Sequence, residues 1–358
     1  MKNELRSSRP VAIWLLVGVA MIIVQIILGG ITRLTGSGLS ITEWEVITGT
    51  LPPLNQQEWL LEFEKYKQTP QFRLLNYNFT LPDFKFIFFW EWLHRLWGRL
   101  IGIVFIIPFI IFLVQKRFTR EMIRPLVILF LLGAVQGVVG WIMVVSGLSG
   151  DAIYVKPTRL ALHFIFAMVL LMYTFWVAVK LLVHPAEITV SKRMASFTWI
   201  IVVILFVQLI FGALMAGLRA APAAPTWPDI NGSFIPVAVF SRIEGWRSFI
   251  EDRIVIHFVH RMLAYLLTIM IIIWTFQSFN IKQRLFSTTR FLPLALVIIQ
   301  VALGVFTVFT SINIRPARWN EFEWMAQLHQ FVALLLLLSI TLAAFLVRNK
   351  SLKTSTTT

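Results

Sequence analysis

The fold of this chain is decided by the run at residues 11–31, VAIWLLVGVAMIIVQIILGGI, which has no charged side chain. The hydrocarbon core of a bilayer is about 30 Å thick, so a helix that crosses it needs roughly 20 apolar residues. Similar runs recur along the chain with polar gaps between them. The run at 11–31 is therefore predicted to be the first of several transmembrane helices.

We predict an all-α polytopic membrane protein with eight spans. Apolar residues make up 58% of the 358 residues and charged residues only 14%, too few to cover a soluble globule of this size. The chain has no cysteine, which excludes a disulfide scaffold, thiolate metal sites, iron–sulfur clusters and cysteine nucleophiles. The predicted spans lie at residues 11–31, 88–114, 124–146, 160–183, 195–217, 254–276, 290–311 and 324–347.

The net charge of +15 indicates how the spans are oriented. Basic residues cluster in the loops 115–124, 180–194 and 277–289, which the positive-inside rule places in the cytoplasm with both termini. Residues 32–87, the first outer segment, and residues 218–253, the second outer segment, then lie outside. The N-terminal residues resemble neither a signal peptide nor a mitochondrial import sequence, so we expect a bacterial inner membrane. Because the loops account for the charge, nucleic-acid binding is not expected.

Four of the six histidines occupy matching places in the even-numbered spans. Spans two and six contain Glu91-Trp-Leu-His94-Arg95 and His257-Phe-Val-His260-Arg261, while spans four and eight contain His163 and His329. All four histidines come early in helices that run inward, so we expect them about 5–10 Å below the outer surface. The matching places predict two sites, one in each half of the chain.

The odd-numbered spans repeat a second pattern, a glutamine followed four residues later by a glycine on the same helix face. We interpret the two patterns as a duplication that gives two parallel four-helix bundles, residues 1–183 and 184–358, related by an axis along the membrane normal. The glutamines are expected to bond between helices, and the glycines to allow close approach of a helix or a flat macrocycle. The four pairs are Gln25 and Gly29, Gln136 and Gly140, Gln208 and Gly212, and Gln300 and Gly304.

Histidine pairs from facing helices, in a core without cysteine, suit a haem iron that is ligated on both faces. A zinc site would more often include a carboxylate or a thiolate. Hydrogen bonds to neighbouring helices are the structural alternative for the histidines. Arg95 and Arg261 directly follow two of the histidines and could bind haem propionates as planar forks. Anchoring at the membrane interface is the alternative for these arginines.

The two halves differ three residues before the first histidine, where the first half has Glu91 and the second has His257. The spacing places each on the face of its histidine. A carboxyl at this place suits proton transfer, so the first half is the candidate for chemistry and the second for a permanent cofactor. Glu91 could instead pair with Arg95 or Arg99. His257 is interpreted as a structural or propionate-bonding residue rather than a ligand.

The most specific stretch of the sequence is GGITRLTGSGLS at residues 29–40. On this stretch and the residues below, the chain resembles the haem A synthase family over nearly its whole length. The chain lacks the cysteine pair of one branch and is similar to the proteobacterial and mitochondrial branch, while residues 217–225 depart from the Gly-rich form expected there. The other matching residues are Trp44, Gly49, Leu51-Pro-Pro53, Trp59, Phe63, Tyr66, Thr69-Pro70, Phe84-Lys85-Phe86, Glu91-Trp-Leu-His94-Arg95, Thr226-Trp227-Pro228, Asn231-Gly232 and His260-Arg261.

The resemblance implies that the methyl group of haem O is oxidised to the formyl group of haem A for cytochrome oxidase, with water as the source of oxygen. His94 and His163 would hold the substrate haem, and His260 and His329 a resident haem b that relays electrons. Glu91 would be the catalytic residue that takes up protons.

With these sites, the positions of the two arginines after the histidines predict Arg95 as a binding residue for the substrate haem and Arg261 as one for the resident haem b. The loop 36–38 and Trp44 would cover the first site from outside. Expected partners are the lipid membrane and haem O, with a haem O synthase, cytochrome oxidase assembly factors and a second copy of the chain as further candidates.

Two other functions stay open at this point. One is a bis-histidine electron-transfer cytochrome b, which would want two nearly equivalent sites. The other is a haem transporter, which would want a site at the membrane midplane and broken helices. The difference between Glu91 and His257, and the position of the histidines near the outer face, favour the enzyme.

Overall fold

The computed structural model describes residues 2–43, 50–240, 245–314 and 319–349. Within them the chain is almost entirely helical. Its only β-strands there are a parallel pair of two residues each, β1 (Thr189–Val190) and β2 (Val347–Arg348). In chain order the α-helices are α1 (Lys2–Leu34), α2 (Gln56–Lys67), α3 (Pro70–Leu74), α4 (Leu81–Val114), α5 (Arg120–Val145), α6 (Pro157–Leu182), α7 (Lys192–Gly217), α8 (Ser248–Glu251), α9 (Arg253–Gln277), α10 (Arg284–Thr289), α11 (Leu292–Thr310) and α12 (Glu321–Leu346).

Eight helices of the described chain are long and apolar enough to cross a membrane: α1, α4, α5, α6, α7, α9, α11 and α12. Each coincides with one predicted span, so the prediction of an all-α, multi-pass membrane protein is confirmed. Helices satisfy their own backbone hydrogen bonds, which is the condition for crossing a hydrocarbon layer.

A clear difference from the predicted boundaries is at α4, which begins at Leu81 rather than at residue 88. Its start is set by Thr80, whose backbone N–H donates to the Asp83 carboxylate at 2.8 Å in a capping box. The added turns carry Phe84, which stacks on Phe63 and Tyr66 with ring centroids 5.1 and 5.3 Å apart. The helix thus extends beyond the bundle and supports α2 of the first outer segment.

Four helices, α1, α6, α7 and α12, form the centre of the bundle, while α4, α5, α9 and α11 lie around them. In the first half α1 packs on α4 and α6, and α5 packs on α6; in the second half α7 packs on α9 and α12, and α11 packs on α12. The two halves meet where α6 contacts α7 and α12, and where α1 contacts α12. Two parallel repeats remain a prediction, which these corresponding contacts support.

The core lies between the central helices and includes Leu171, Ile201, Trp274 and Leu334, each with no exposed surface. Lipid tails are as apolar as this core, so close packing and interhelical hydrogen bonds rather than the hydrophobic effect hold the helices together. The indole nitrogen of Trp274 donates to the Thr198 hydroxyl at 2.8 Å, which satisfies a polar atom that would otherwise be costly to bury.

Candidate functional site

All four predicted histidines line one cavity of about 920 Å³ that runs between the two halves of the bundle. Small-molecule sites typically enclose about 300–1,000 Å³, so this cavity lies at the upper end of that range. Its wall comes from all eight long helices, and residues of both outer segments line its mouth. The structure therefore brings together His94, His163, His260 and His329, which the sequence placed in two separate sites.

Each histidine packs against the glycine of the preceding long helix. A side chain in place of that glycine would press on the imidazole ring, because the distances found here are shorter than most contacts that real Cβ atoms make. The predicted glycine stripe is therefore explained by four ring contacts between helices. A Cβ would lie 3.2 Å from His94 Nε2 at Gly29, 2.8 Å from His163 Cε1 at Gly140, 3.2 Å from His260 Cε1 at Gly212 and 3.0 Å from His329 Cε1 at Gly304.

The four glutamines of the repeated pattern also reach the histidines. The Nε2 atoms of Gln25 and Gln136 donate to the backbone carbonyls of His94 and His163, both at 3.1 Å. In the second half, Gln300 Nε2 lies 3.2 Å from His329 Nε2. Within the described chain, the buried Oε1 atoms of all four glutamines have no hydrogen-bond partner. Unsatisfied acceptors at four equivalent places indicate a site that is completed by a bound group.

The ring geometry of His260 and His329 fits a haem iron between them. Their ring centroids are 6.4 Å apart. Metal–imidazole bonds of about 2 Å on each side would separate two such centroids by roughly 6 Å. Among the described residues the buried Nδ1 of His260 is unpartnered, and His329 Nδ1 lies 3.0 Å from the carbonyl oxygen of Gln300. A donating Nδ1–H leaves Nε2 of His329 as the lone pair for a metal.

Glu91 lies on α4 at the wall of the cavity and is only 2% exposed. Its Oε2 accepts hydrogen bonds from the backbone N–H and the hydroxyl of Ser40, both at 2.7 Å, and from the N–H of Ile41 at 2.9 Å. Its Oε1 pairs with Arg95 at 2.6 Å. Sequence reasoning foresaw the arginine as an alternative partner but missed Ser40 and Ile41, which lie about fifty positions away in the chain.

Arg95 and Arg261 play corresponding parts in the two halves, since each holds an outer segment by its backbone carbonyls. Arg95 donates to the carbonyl oxygens of Ile41 and Glu43 at 3.1 and 3.2 Å. Arg261 donates to those of Asp229 and Ala224 at 2.7 and 3.0 Å. Both arginines also line the cavity. Their contact with haem propionates stays a prediction.

His257 is fully buried and has protein partners at both ring nitrogens. Its Nε2 lies 2.9 Å from the carbonyl oxygen of Ala220, and its Nδ1 lies 3.3 Å from Arg261 Nη2. This geometry supports the structural interpretation of His257. Ala220 and Ala224, from the stretch that departs from the family pattern, are fully buried and supply the carbonyls for His257 and Arg261.

The Thr226–Gly232 stretch is a tight turn that presents the Asp229 carbonyl to Arg261. The N–H of Gly232 donates to the Asp229 carboxylate at 2.8 Å, and Asn231 N–H donates to the Thr226 hydroxyl at 2.8 Å. The Gly232 hydrogen bond lowers the pKa of the Asp229 carboxyl below its ordinary value. Gly232 adopts a φ of +88°, a left-handed conformation that glycine allows.

Of the segment predicted to cover the first site, the structure describes the loop 36–38. Gly36 and Gly38 line the cavity, and the buried Gln71 donates to the Gly36 carbonyl at 3.4 Å. Gln71 is in turn held by the Tyr66 hydroxyl at 3.0 Å, and burial raises the pKa of Tyr66 to about 12. Trp44 and Gly49 lie outside the described residues.

Arg33 and Arg219 also line the cavity, and sequence reasoning singled out neither. Arg33 lies inside the stretch 29–40 that carries the resemblance, which was an available signal. Arg219 follows α7 in the stretch 217–225, which stands out in the sequence only as a departure from the expected Gly-rich form. The described chain contains no group of three or more His, Asp or Glu side chains that could hold a bare metal ion.

Comparison with known proteins gives the same family over most of the chain. Residues 12–341 match the model of the COX15-CtaA family, described as cytochrome oxidase assembly protein. A protein from Flavobacterium psychrophilum named Heme A synthase is 39% identical over 342 residues, which cover 94% of this chain and 98% of that protein.

Two further relatives bear the same name, Heme A synthase. The one from Nitrosomonas eutropha is 40% identical over 324 residues, which cover 88% of this chain and 90% of the relative. The one from Bradyrhizobium diazoefficiens is 39% identical over 331 residues, which cover 92% and 89%. The similarity thus includes both halves and both outer segments.

Proposed function

Because the chain belongs to the COX15-CtaA family of cytochrome oxidase assembly proteins and has the function of a haem A synthase, we propose that it oxidises the methyl group of haem O to a formyl group, with water as the oxygen source. When a methyl group is oxidised and water supplies the oxygen atom, electrons and protons leave the substrate, so the site needs an electron acceptor and a proton acceptor. The observation that carries the proposal is a cavity lined by four histidines, in which Glu91 lies three residues before His94 while the matching place before His260 holds His257.

The first half, residues 1–183, is proposed as the substrate site. His94 and His163 would bind the iron of haem O, and they lie on α4 and α6, which both pack on α1. Glu91 lies three residues before His94 on the same helix face. Its carboxylate would accept protons released from the substrate and pass them towards the Ser40 hydroxyl, 2.7 Å away. Arg95 is proposed to bind the substrate while it holds the first outer segment closed.

The second half, residues 184–358, is proposed as the site of a resident haem b. When bound there, haem b would supply one-electron redox chemistry. His260 and His329 would hold its iron, as their 6.4 Å ring separation supports. Arg261 is proposed as the binding residue that also fixes the second outer segment, and His257 keeps Arg261 in place. No carboxylate takes the place of Glu91 beside His260, which suits a cofactor that undergoes no chemistry at its rim.

We further propose a bacterial inner membrane location with both termini in the cytoplasm, as the basic loops indicate. Both sites then lie near the outer face. Haem O is amphiphilic, so it can reach the cavity from the lipid. A haem O synthase, cytochrome oxidase assembly factors and a second copy of the chain are candidate partners.

Pigment extraction tests this function directly. The protein is co-produced with a haem O-forming enzyme, and haems B, O and A are separated by chromatography. We expect haem A to appear at the expense of haem O, with haem B retained by the purified protein. Haem O that stays unconverted while the protein binds haem at both sites would contradict the enzyme and favour an electron-transfer cytochrome. A colourless protein would favour a carrier.

A further inference from the structure

Two arginines without a role in the proposed function line the cavity between the two halves of the bundle. Arg33, in the last turn of α1, donates from Nη1 to the carbonyl oxygen of Ala216 near the end of α7, 3.2 Å away. Arg219 follows α7 directly. Its positive charge is close enough to that of Arg33 for the two to repel each other. Both side chains line the cavity. One arginine therefore comes from each half of the chain.

The guanidinium groups of Arg33 and Arg219 make fewer hydrogen bonds to the described residues than those of Arg95 and Arg261, which hold the outer segments. A guanidinium has five N–H donors. Arg33 uses one of them among the described residues, on Ala216. Arg219 stacks over the Tyr154 ring at 3.7 Å from its centroid and makes no side-chain hydrogen bond within the described chain. Stacking fixes the plane of the group while leaving its edge free to bind a ligand.

The backbone at Arg219 gives independent support for a side-chain role. Arg219 has a φ of +52°, and Gly36, which lies at the matching position seven residues after the repeated glycine, has a φ of +71°. Glycine adopts this conformation freely, but a residue with a Cβ is strained in it. An arginine in this conformation, at the place where the first half has a glycine, supports a function for its guanidinium there.

The charges around the pair are unbalanced. Arg253 lies near Arg219 and adds a third cation. Among the described residues, Glu323 is a carboxylate that acts on Arg33; it lines the cavity and accepts the N–H of Asn320 at 2.8 Å, and its single negative charge leaves the three cations in excess. Cations gathered along a cavity attract an anion, and the guanidinium fork matches a carboxylate.

We propose that Arg33 and Arg219 together bind a propionate carboxylate of the substrate haem, an inference that rests on the proposed function. Arg33 is four residues after Gly29, so both lie on the helix face that contacts His94. The site assigned to the first half is thereby completed by a residue of the second half. Loading of the substrate then depends on contact between the two halves.

The test measures binding rather than turnover. Haem O and its dimethyl ester, in which both propionates are esterified, are titrated by absorbance into the purified protein that holds its haem b. The variants are Arg33→Gln and Arg219→Gln, with Arg33→Lys as the conservative change. Arg159→Gln is the matched control, because Arg159 is half-buried, donates to the carbonyl oxygen of Ile142 and is not among the residues that line the cavity.

We expect each Gln variant to bind haem O roughly tenfold or more weakly while it binds the ester as the unchanged protein does. Arg33→Lys should recover part of the loss, and haem b content should stay constant. Equal weakening for acid and ester, or loss of haem b with normal haem O binding, would overturn the proposal. If haem O binds with this selectivity but is never converted, the proposed function fails and the carboxylate site stands.

Discussion

At the scale of single residues, Glu91 combines features that rarely occur together in a membrane protein. Its carboxylate is buried at a cavity wall, it accepts three hydrogen bonds from Ser40 and Ile41, and it pairs with Arg95. An ionisable group at this depth is costly, and its partners stabilise it. The three-residue spacing to His94 was enough to predict from the sequence that Glu91 lies on the same helix face as that histidine. Its loop partners were not predictable, because no periodicity links a helix to a distant loop.

Glu91→Gln should lower the rate of haem A formation far more than it lowers haem binding. The amide keeps the size and part of the hydrogen bonding, but it cannot accept a proton as the carboxylate does. Haem A formation should fall by about 10²–10⁴, the usual effect of losing one acid–base group, while haem b content is kept. The measurement is haem A per folded protein after co-production with a haem O-forming enzyme.

The matched control for this change is Glu187→Gln, since Glu187 also accepts a backbone N–H, from Leu285 at 2.8 Å, but lies far from the cavity. It should behave as the unchanged protein. Haem A output of Glu91→Gln within about threefold of the unchanged protein would defeat the catalytic assignment. Loss of folded protein with normal output from the remainder would leave Glu91 as a partner of Arg95 only.

At the scale of helices, the repeated glutamine and glycine positions were predictable and their partners were not. The helical periodicity of the sequence determines which residues share a helix face, so Gln25 and Gly29 could be placed on one face. It does not say which helix that face meets. The structure shows that each such face meets a histidine, which accounts for both residue types at once.

Adding one methyl group at these contacts should show that the two sites have different roles. Gly304→Ala places a Cβ 3.0 Å from His329 and should lower the haem b content of the purified protein. Gly140→Ala places one 2.8 Å from His163 and should lower haem A formation with haem b retained. Gly102→Ala is the control for the histidine contact itself, since Gly102 also lines the cavity but a Cβ there meets no protein atom within 4 Å. The readout is haem b per protein from the absorbance spectrum, with haem A from extraction.

Full haem b in Gly304→Ala together with normal haem A in Gly140→Ala would show that the ring contacts do not position the ligands. Gly102→Ala should be neutral or slightly stabilising, because alanine is favoured over glycine in a helix by roughly 0.5–1 kcal/mol.

At the scale of the whole molecule, the sequence predicted eight spans correctly but not the single cavity that joins the halves. Run length and charge determine spans and their order along the chain. The contact between halves depends on pairs such as Gln330 Nε2 and the Ile26 carbonyl, 2.8 Å apart in space and 304 positions apart in sequence. Neither residue carries a sequence signal for the other, so the shared cavity had to come from the structure.

The orientation in the membrane can be tested with single cysteines, because the chain has none of its own. Gln57 in α2 of the first outer segment and Ala186 in the loop between α6 and α7 are both exposed. A membrane-impermeant thiol reagent should label Gln57→Cys in intact cells. It should label Ala186→Cys only after permeabilisation. The reverse pattern would place the histidine sites at the cytoplasmic face and contradict the predicted orientation.

The central claim is that the two histidine pairs have unequal roles, and haem analysis of four single variants tests it most directly. His260→Ala and His329→Ala should lose haem b, because an iron held on both faces loses one axial bond. His94→Ala and His163→Ala should keep haem b and form no haem A, and the exposed His184→Ala should resemble the unchanged protein. Equal loss of haem b from all four site variants would contradict the claim and identify two equivalent haem sites.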